Sequence, residues 1–385
     1  MTELTSIVGR ARELARTVVA RDASEVDTQA RWPEAGLRAL QREGLGGLVV
    51  PAASGGLGLG LLALARVCEE LGRSCASTGI SFGMHCVASA VIAAKATPYQ
   101  RGRYLEAISA GRHFTTLALS EPGSGAHFYY PQTRLVADSP DMYRVTGDKV
   151  FVTNGGHADS YVVSTVAAEA EAPPGHFSCV LVAAGADGLA WGAPWQGLGM
   201  RGNSSRALGL RGVPVPRQDL IGEEGDQIWY VFEVIAPYFL MAMAGTYLGV
   251  AASALDEATA HLGQRVYAHS GARLSHQSLL QHRLGTLWAD VQRTRQLIYW
   301  AAAEGDERGP QALPALCSAK AEVADCVVRV VNEVMTLSGG SAYRDGSRLD
   351  RLLRDGRAAH VMAPTTDVLR TWVGRAVLGL PLLGD

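Results

Sequence analysis

Residues 143–153 read YRVTGDKVFVT, and residues 160–168 read SYVVSTVAA. Both runs are rich in Val, Thr, Tyr and Phe and are cut by turn residues, the mark of short strands on a half-buried surface. Three more runs share this character: HFTTLAL (113–119), FSCVLVAA (177–184) and ALGLRGVPVP (207–216). Their close spacing predicts a small antiparallel barrel or sandwich in the middle of the chain.

The style changes on both sides. Upstream, LALARVCEELGRS (62–74) and VASAVIAAKA (87–96) repeat their apolar positions at helical spacing, with a Pro/Gly-rich loop, VVPAASGGLGLG (49–60), between them and what precedes. Downstream, SLLQHRLGTLWADVQRTRQLIYWAAAEG (278–305), ALCSAKAEVADCVVRVVNEVMTL (315–337) and DRLLRDGRAAHVM (350–362) are long helical patterns with short connections, as in an up-and-down bundle. The expected fold class is α+β and mostly helical. It has an N-terminal all-α domain (1–115), a middle antiparallel β-barrel domain (116–225) and a C-terminal four-helix bundle (226–385).

The 385 residues are 48% hydrophobic and 19% charged, enough apolar matter for a multi-layer core. A net charge of −2 shows no electrostatic footprint for nucleic acid or an anionic membrane. The N-terminal MTELTSIVGRARELART carries charges throughout, which argues against a signal peptide. The uncharged stretch 238–255, YFLMAMAGTYLGVAASAL, is long enough to span a bilayer. It runs into the amphipathic DEATAHLGQR with no basic flank, so a helix buried in a bundle is the expectation. The six cysteines form neither a CxxC pair nor a zinc-spaced cluster and are expected as buried, reduced thiols of a cytoplasmic protein.

Six segments, in order and covering nearly the whole chain, resemble the acyl-CoA dehydrogenase family. They are GLGGLVVPAASGGLGLG (44–60), LALSEPGSGAHF (117–128), GDKVFVTNGGHADSYVV (147–163), GLGMRGNSSRALGLRGVPVPRQDLIGEEG (197–225), ALDEAT (254–259) and LSGGSAYRDGSRLDRLLRDGR (337–357). The resemblance implies an FAD-dependent oxidoreductase, a homotetramer in which each FAD lies across two subunits, and an acyl substrate on coenzyme A or a carrier protein. Electrons would pass to an acceptor protein or to oxygen. It places Leu117, Leu119 and Ser120 along the flavin ring, with Gly125 and Ala126 in the same loop. Phe151 would be the aromatic wall, followed by Val152 and by Thr153 near N5. The neighbouring subunit would supply Leu337, Ser338, Gly339 and Gly340 at the pyrophosphate and Thr365 and Asp367 near the adenosine. Arg265 would stand at the arginine of the family's Arg-x-x-Phe-Gly, in a region that carries an insertion, and Gln277 or Gln281 would take the role of the glutamine that follows.

One part of the family pattern is absent. Acyl-CoA dehydrogenation takes an α-proton to a carboxylate while hydride leaves for the flavin, so the base must reach that proton. Counting from Arg354 puts the usual glutamate position at Ala363, followed by Pro364. A second subgroup carries its base on the first bundle helix, which here gives Phe239, and the adjoining arginine becomes Leu240. Three readings follow. A replacement base could come from His360, Tyr238 or His127, with His85, Tyr129 and Tyr130 in bordering segments. The enzyme could instead be a flavin monooxygenase or oxidase, which needs no such base. It could also be an inactive flavin-binding homologue, against which the retained flavin motifs argue.

Overall fold

The structure, a computed structural model, describes residues 3–125, 127–166, 176–226 and 229–383. Helix α1 (Glu3–Leu14) runs through a π segment into α2 (Ala20–Thr28), followed by α3 (Glu34–Arg42), α4 (Leu61–Ser74) and α5 (Ala76–Ala94). Two short helices, α6 (Pro98–Gln100) and α7 (Glu106–Ser109), lead into the strands. A capping box closes the start of α6, where the Thr97 hydroxyl accepts from Gln100 N–H and the Gln100 side chain accepts from Thr97 N–H.

The strands are β1 (Thr115–Ala118), β2 (Arg134–Ser139), β3 (Met142–Val152), β4 (Ser160–Val166), β5 (Phe177–Ala183), β6 (Leu189–Trp191), β7 (Arg206–Pro216) and β8 (Leu220–Ile221). They form one sheet in the order β6-β7-β3-β2-β4-β5-β8, with β1 added alongside β4. Most pairings are antiparallel, while β1 and β2 each meet β4 in parallel. Every described position of β4 from Ser160 to Thr165 is buried, which explains its near-continuous apolar and hydroxyl run.

The chain ends in α8 (Ala236–Gln264), α9 (Ser278–Asp306), α10 (Ala312–Ser338), α11 (Arg348–Val361) and α12 (Thr366–Val377). Two stretches are long and apolar enough to cross a membrane, Ala76–Ala94 and Tyr230–Gln264, but 94% and 83% of their apolar windows are buried inside the fold. Both are core helices. Their composition follows from how closely they pack: a Cβ on Gly245 would come within 2.1 Å of the Ala65 carbonyl, and one on Gly249 within 2.2 Å of the Glu69 carbonyl. Helix α8 can therefore lie against α4 only with glycine at these places. Polar ties bind α9 to the same face of the N-terminal layer, at Glu69 of α4. Arg295 donates to Glu69 at 2.8 Å, and the Tyr299 hydroxyl donates to the other Glu69 oxygen at 2.5 Å. All six cysteines are buried and unpaired.

Candidate active site

A cavity of about 1050 Å³ opens where the β-sheet, α5, the start of α8 and the end of α11 converge. The loop after β1 supplies Leu117, Leu119, Ser120 and Gly125, the end of β3 supplies Phe151 and Thr153, and the turn between α11 and α12 supplies Ala363, Pro364 and Thr365.

Strand β3 is shaped to do this. Its pairing with β7 slips between Lys149 and Val152, so the strand bulges at Val150 and Phe151. Phe151 takes a left-handed backbone conformation, φ 55°, and stands 64% exposed at the cavity. For a bulky aromatic residue that conformation is strained, and such strain collects at functional sites. Trp195 meets the Phe151 ring edge-on at 6.1 Å. Just beyond, Asn154 locks the turn to the helical layer: it accepts from Trp32 Nε1 at 2.8 Å and donates to the Ser81 carbonyl at 3.0 Å.

The loop after β1 hangs on a buried ion pair. Glu121 accepts from Lys149 Nζ at 2.6 Å, the Thr133 hydroxyl at 2.7 Å, Thr133 N–H at 3.1 Å and Gln132 N–H at 2.6 Å. Burial works to raise the Glu121 carboxyl, but the Lys149 ammonium and these donors outweigh it and hold it below its ordinary value. The carboxylate lines the cavity but is fully engaged, so it is a structural anion rather than a free base. Lys149 also donates to the Ser164 carbonyl and hydroxyl.

Arg354 likewise lines the cavity with its charge already spent. It grips Asp27 through both terminal nitrogens, at 2.9 and 2.5 Å, and Asp350 at 3.1 and 3.0 Å. Next to it, Asp355 accepts from Met200 N–H at 2.7 Å. Complete burial pushes Asp355 up to about 6. Arg357, one turn on, faces the cavity with no ion-pair partner among the described residues.

The two places where the family keeps its base both fall on this cavity wall: Ala363 and Phe239 line it. Around them are Met84, Ile235, Ala236 and Met362, so this end of the cavity is apolar. Leu240, at the place of the anchoring arginine, points into the core and is 1% exposed.

The expected replacement bases lie elsewhere. His360 faces a second cleft, of about 700 Å³, with Asp325 at 3.5 Å and the Thr366 hydroxyl at 3.2 Å from its Nδ1. The turn of α11 that brings Ala358 and Val361 to the cavity points His360 away. His127 is exposed and edge-on to Tyr129, while Tyr129 is buried against Phe232 and Trp372. None of these, nor Tyr130, lines the cavity. Tyr238 sits beside Phe239 on α8 but outside the lining, and burial pushes its hydroxyl up to about 12. His85 is a structural tie: its Nδ1 accepts from Thr115 N–H at 3.1 Å and its Nε2 lies 3.0 Å from the Gly46 carbonyl. Complete burial lowers it to about 4 and keeps it neutral.

The flavin-side residues divide in the same manner. Val152 is buried in the sheet, 1% exposed, between the cavity-facing Phe151 and Thr153. Ala126 lies outside the described residues. Thr365 lines this chain's own cavity, in the α11–α12 turn that folds over it. Asp367 is exposed in the first turn of α12. Arg265 and Gln277 are exposed at the two ends of an irregular segment whose Val266 and Arg273 bridge as a hairpin, which accommodates the insertion. Gln281 donates to the Ser275 carbonyl at 2.8 Å. At the end of α10, Leu337 and Ser338 are nearly buried. Gly339 takes φ +66°, and a Cβ on Gly339 or Gly340 would meet nothing within 4 Å.

The cavity fits a flavin. The Ser120, Thr153 and Thr365 hydroxyls have no hydrogen-bond partner among the described residues, and Gly123 and Gly125 leave open space at positive φ. An aromatic wall, free hydroxyls and a glycine-lined edge are what an isoalloxazine and its ribityl chain require. Fold and site together define an FAD flavoprotein oxidoreductase.

The chain belongs to the acyl-CoA dehydrogenase family. Its residues 2–112 match the family's N-terminal domain, 116–213 its middle domain and 238–378 its C-terminal domain. It is 30% identical over 368 residues to cyclohex-1-ene-1-carbonyl-CoA dehydrogenase of Geobacter metallireducens, covering 95% of this chain and 96% of that protein. It is 27% identical over 358 residues to the short-chain-specific acyl-CoA dehydrogenase of Clostridium acetobutylicum, covering 93% of each. The butyryl-CoA dehydrogenase structure from Megasphaera elsdenii superposes with a TM-score of 0.91 at 24% identity, over 98% of this chain and 99% of that one.

Proposed function

We propose that this chain acts on an acyl thioester, on coenzyme A or a carrier protein, as a flavin monooxygenase whose FAD is reduced by an external electron donor and then reacts with oxygen, so that no protein carboxylate has to remove an α-proton. One observation carries this reading: Ala363 and Phe239 both reach the cavity wall, so the places from which a family base acts are present and apolar. An alanine methyl and a phenyl ring cannot accept a proton. Among the other cavity-lining residues, the one carboxylate, Glu121, is fully hydrogen-bonded, and Arg354 is clamped. A desaturase would still need an acceptor within hydrogen-bond reach of the substrate, and His360, Tyr238 and His127 do not supply it from the cavity wall.

The bound FAD, once reduced by an external donor such as a reduced nicotinamide, would supply the reaction with oxygen. The protein's own contribution is positional. Phe151 and Trp195 cover one side of the ring site. Thr153 and Ser120 offer hydroxyls to its polar edge. Met84, Ile235 and Phe239 keep water from the acyl end. Gly339, Gly340, Arg265 and Gln277 do not line this chain's cavity, which supports their serving the FAD of a neighbouring subunit in a homotetramer. The Geobacter relative's name includes dehydrogenase, and electron delivery to an acceptor protein is the competing outcome.

The test is to reduce the purified flavoprotein anaerobically with dithionite and mix it with oxygenated buffer in a stopped-flow instrument. Fast reoxidation, with oxygen consumed when an acyl thioester is present, is the expected result. Slow reoxidation, with turnover only through an artificial electron acceptor, would contradict it.

A further inference from the structure

Lys320 is the second fully buried lysine of the fold and the one whose charge is left without a carboxylate. Its side chain is 0% exposed on α10, and no carboxylate lies within ion-pair distance among the described residues. Its Nζ donates to two main-chain carbonyls, Met362 O at 3.0 Å and Pro364 O at 2.7 Å. Those two carbonyls flank Ala363.

The segment they belong to needs such a partner. Helix α11 ends at Val361, where Met362 N–H still reaches back to the Ala358 carbonyl, and α12 begins at Thr366. Between them, Pro364 has no N–H to donate, and neither the Met362 nor the Pro364 carbonyl meets a backbone donor among the described residues. Left unpaired in the interior, they would carry a full desolvation penalty. Yet Met362, Ala363, Pro364 and Thr365 all line the cavity. The wall that carries the vacated base position is thus held from behind by one side chain on a different helix.

We propose that Lys320 is a positioning residue for the active-site wall. By bridging the carbonyls on either side of Ala363, it fixes the 362–365 turn against the flavin site and sets how Ala363 and Thr365 face the cavity. Burial pushes the Lys320 ammonium down to about 7, and an amine held only by carbonyl dipoles in the interior is costly to keep. The helix could carry an apolar residue here if filling space were its only task.

The test uses Lys320→Met, which keeps length and removes every donor, Lys320→Gln, which keeps one amide donor on a shorter chain, and Val323→Ala as a packing control. Val323 is fully buried on the same helix. Each variant is isolated with its FAD, and the visible circular dichroism of the bound flavin and the affinity of the apoprotein for FAD are measured. For Lys320→Met the expected result is a changed flavin band and an affinity lowered by about tenfold or more, the scale of losing charge-assisted hydrogen bonds. Lys320→Gln should fall between it and the parent, and Val323→Ala should keep the parental band. A parental band and affinity in Lys320→Met overturn the proposal. Should that variant fail to fold, parental values in Lys320→Gln overturn it equally.

Discussion

Replacing Lys149 by Met removes the only cation that pairs with Glu121 among the described residues and leaves a carboxylate that is 6% exposed. The loss is larger than that of one hydrogen bond. Lys149 makes contacts to Glu121 and Ser164 at 2.6 Å each, and the remaining donors to Glu121 are neutral. Breaking a buried pair on one side costs about 3–5 kcal/mol, because an uncompensated charge remains. Removing both charges with Lys149→Met and Glu121→Gln should recover much of this, since the neutral amide oxygen can still accept from Gln132 and Thr133. The two single variants and the double variant, followed by urea unfolding with FAD release as a second signal, form a closed cycle. The coupling should be of order 2 kcal/mol or more. Because Glu121 lies in the loop that carries Ser120 and Gly125, FAD should be lost before global unfolding in Lys149→Met. A cost below about 1 kcal/mol, the level of exposed pairs, would refute the reasoning.

Other expectations follow from the same geometry. His360→Ala should leave FAD binding and turnover within about twofold of the parent, since surface changes away from a site are usually near neutral; loss of turnover with FAD retained would return His360 to the catalytic list. Asp355 has its carboxyl raised to about 6 by burial, so the folded state binds this proton more tightly than the unfolded chain does. Its contribution to stability is therefore fully present below about pH 4 and is lost as pH rises through about 6. Asp355→Asn, which can still accept from Met200 N–H, should flatten stability between those pH values; thermal melts across the range check it, and an unchanged pH slope would count against the assignment. Light scattering of the FAD-loaded protein should give a tetramer, and a monomer that keeps its flavin would remove Gly339 and Gly340 from the cofactor contacts.

The strand-rich middle and the helical flanks were legible because period-two and period-3.6 patterns are local. So were the flavin-side positions Leu117, Ser120, Phe151 and Thr153, which sit in short motifs. What could not be read was direction. Helix α11 presents Arg354, Ala358 and Val361 to the cavity, and His360 leaves on another face although it is the immediate neighbour of Val361. The ties that decide which charged groups are free are long-range: Arg354 reaches Asp27 across 327 positions and Asn154 meets Trp32 across 122. No local pattern signals such pairs. Trp195 reaches the cavity from a loop just before the 197–225 motif, where no pattern marks it. Lys320 had a weak signal, a lone lysine inside an apolar helical run, which is uncommon unless the charge has a buried task.

Whether a free base reaches the substrate from the described cavity lining is tested most directly by α-proton exchange. The FAD-loaded protein and its Ala363→Glu variant are incubated anaerobically in deuterium oxide with butyryl-CoA, and deuterium at the α-carbon is followed by mass spectrometry. The parent should incorporate no deuterium above the enzyme-free rate, and Ala363→Glu, whose carboxylate would stand on the cavity wall, should incorporate it. Exchange catalysed by the parent would mean that a base reaches the α-proton from outside the lining described here, and would contradict the account.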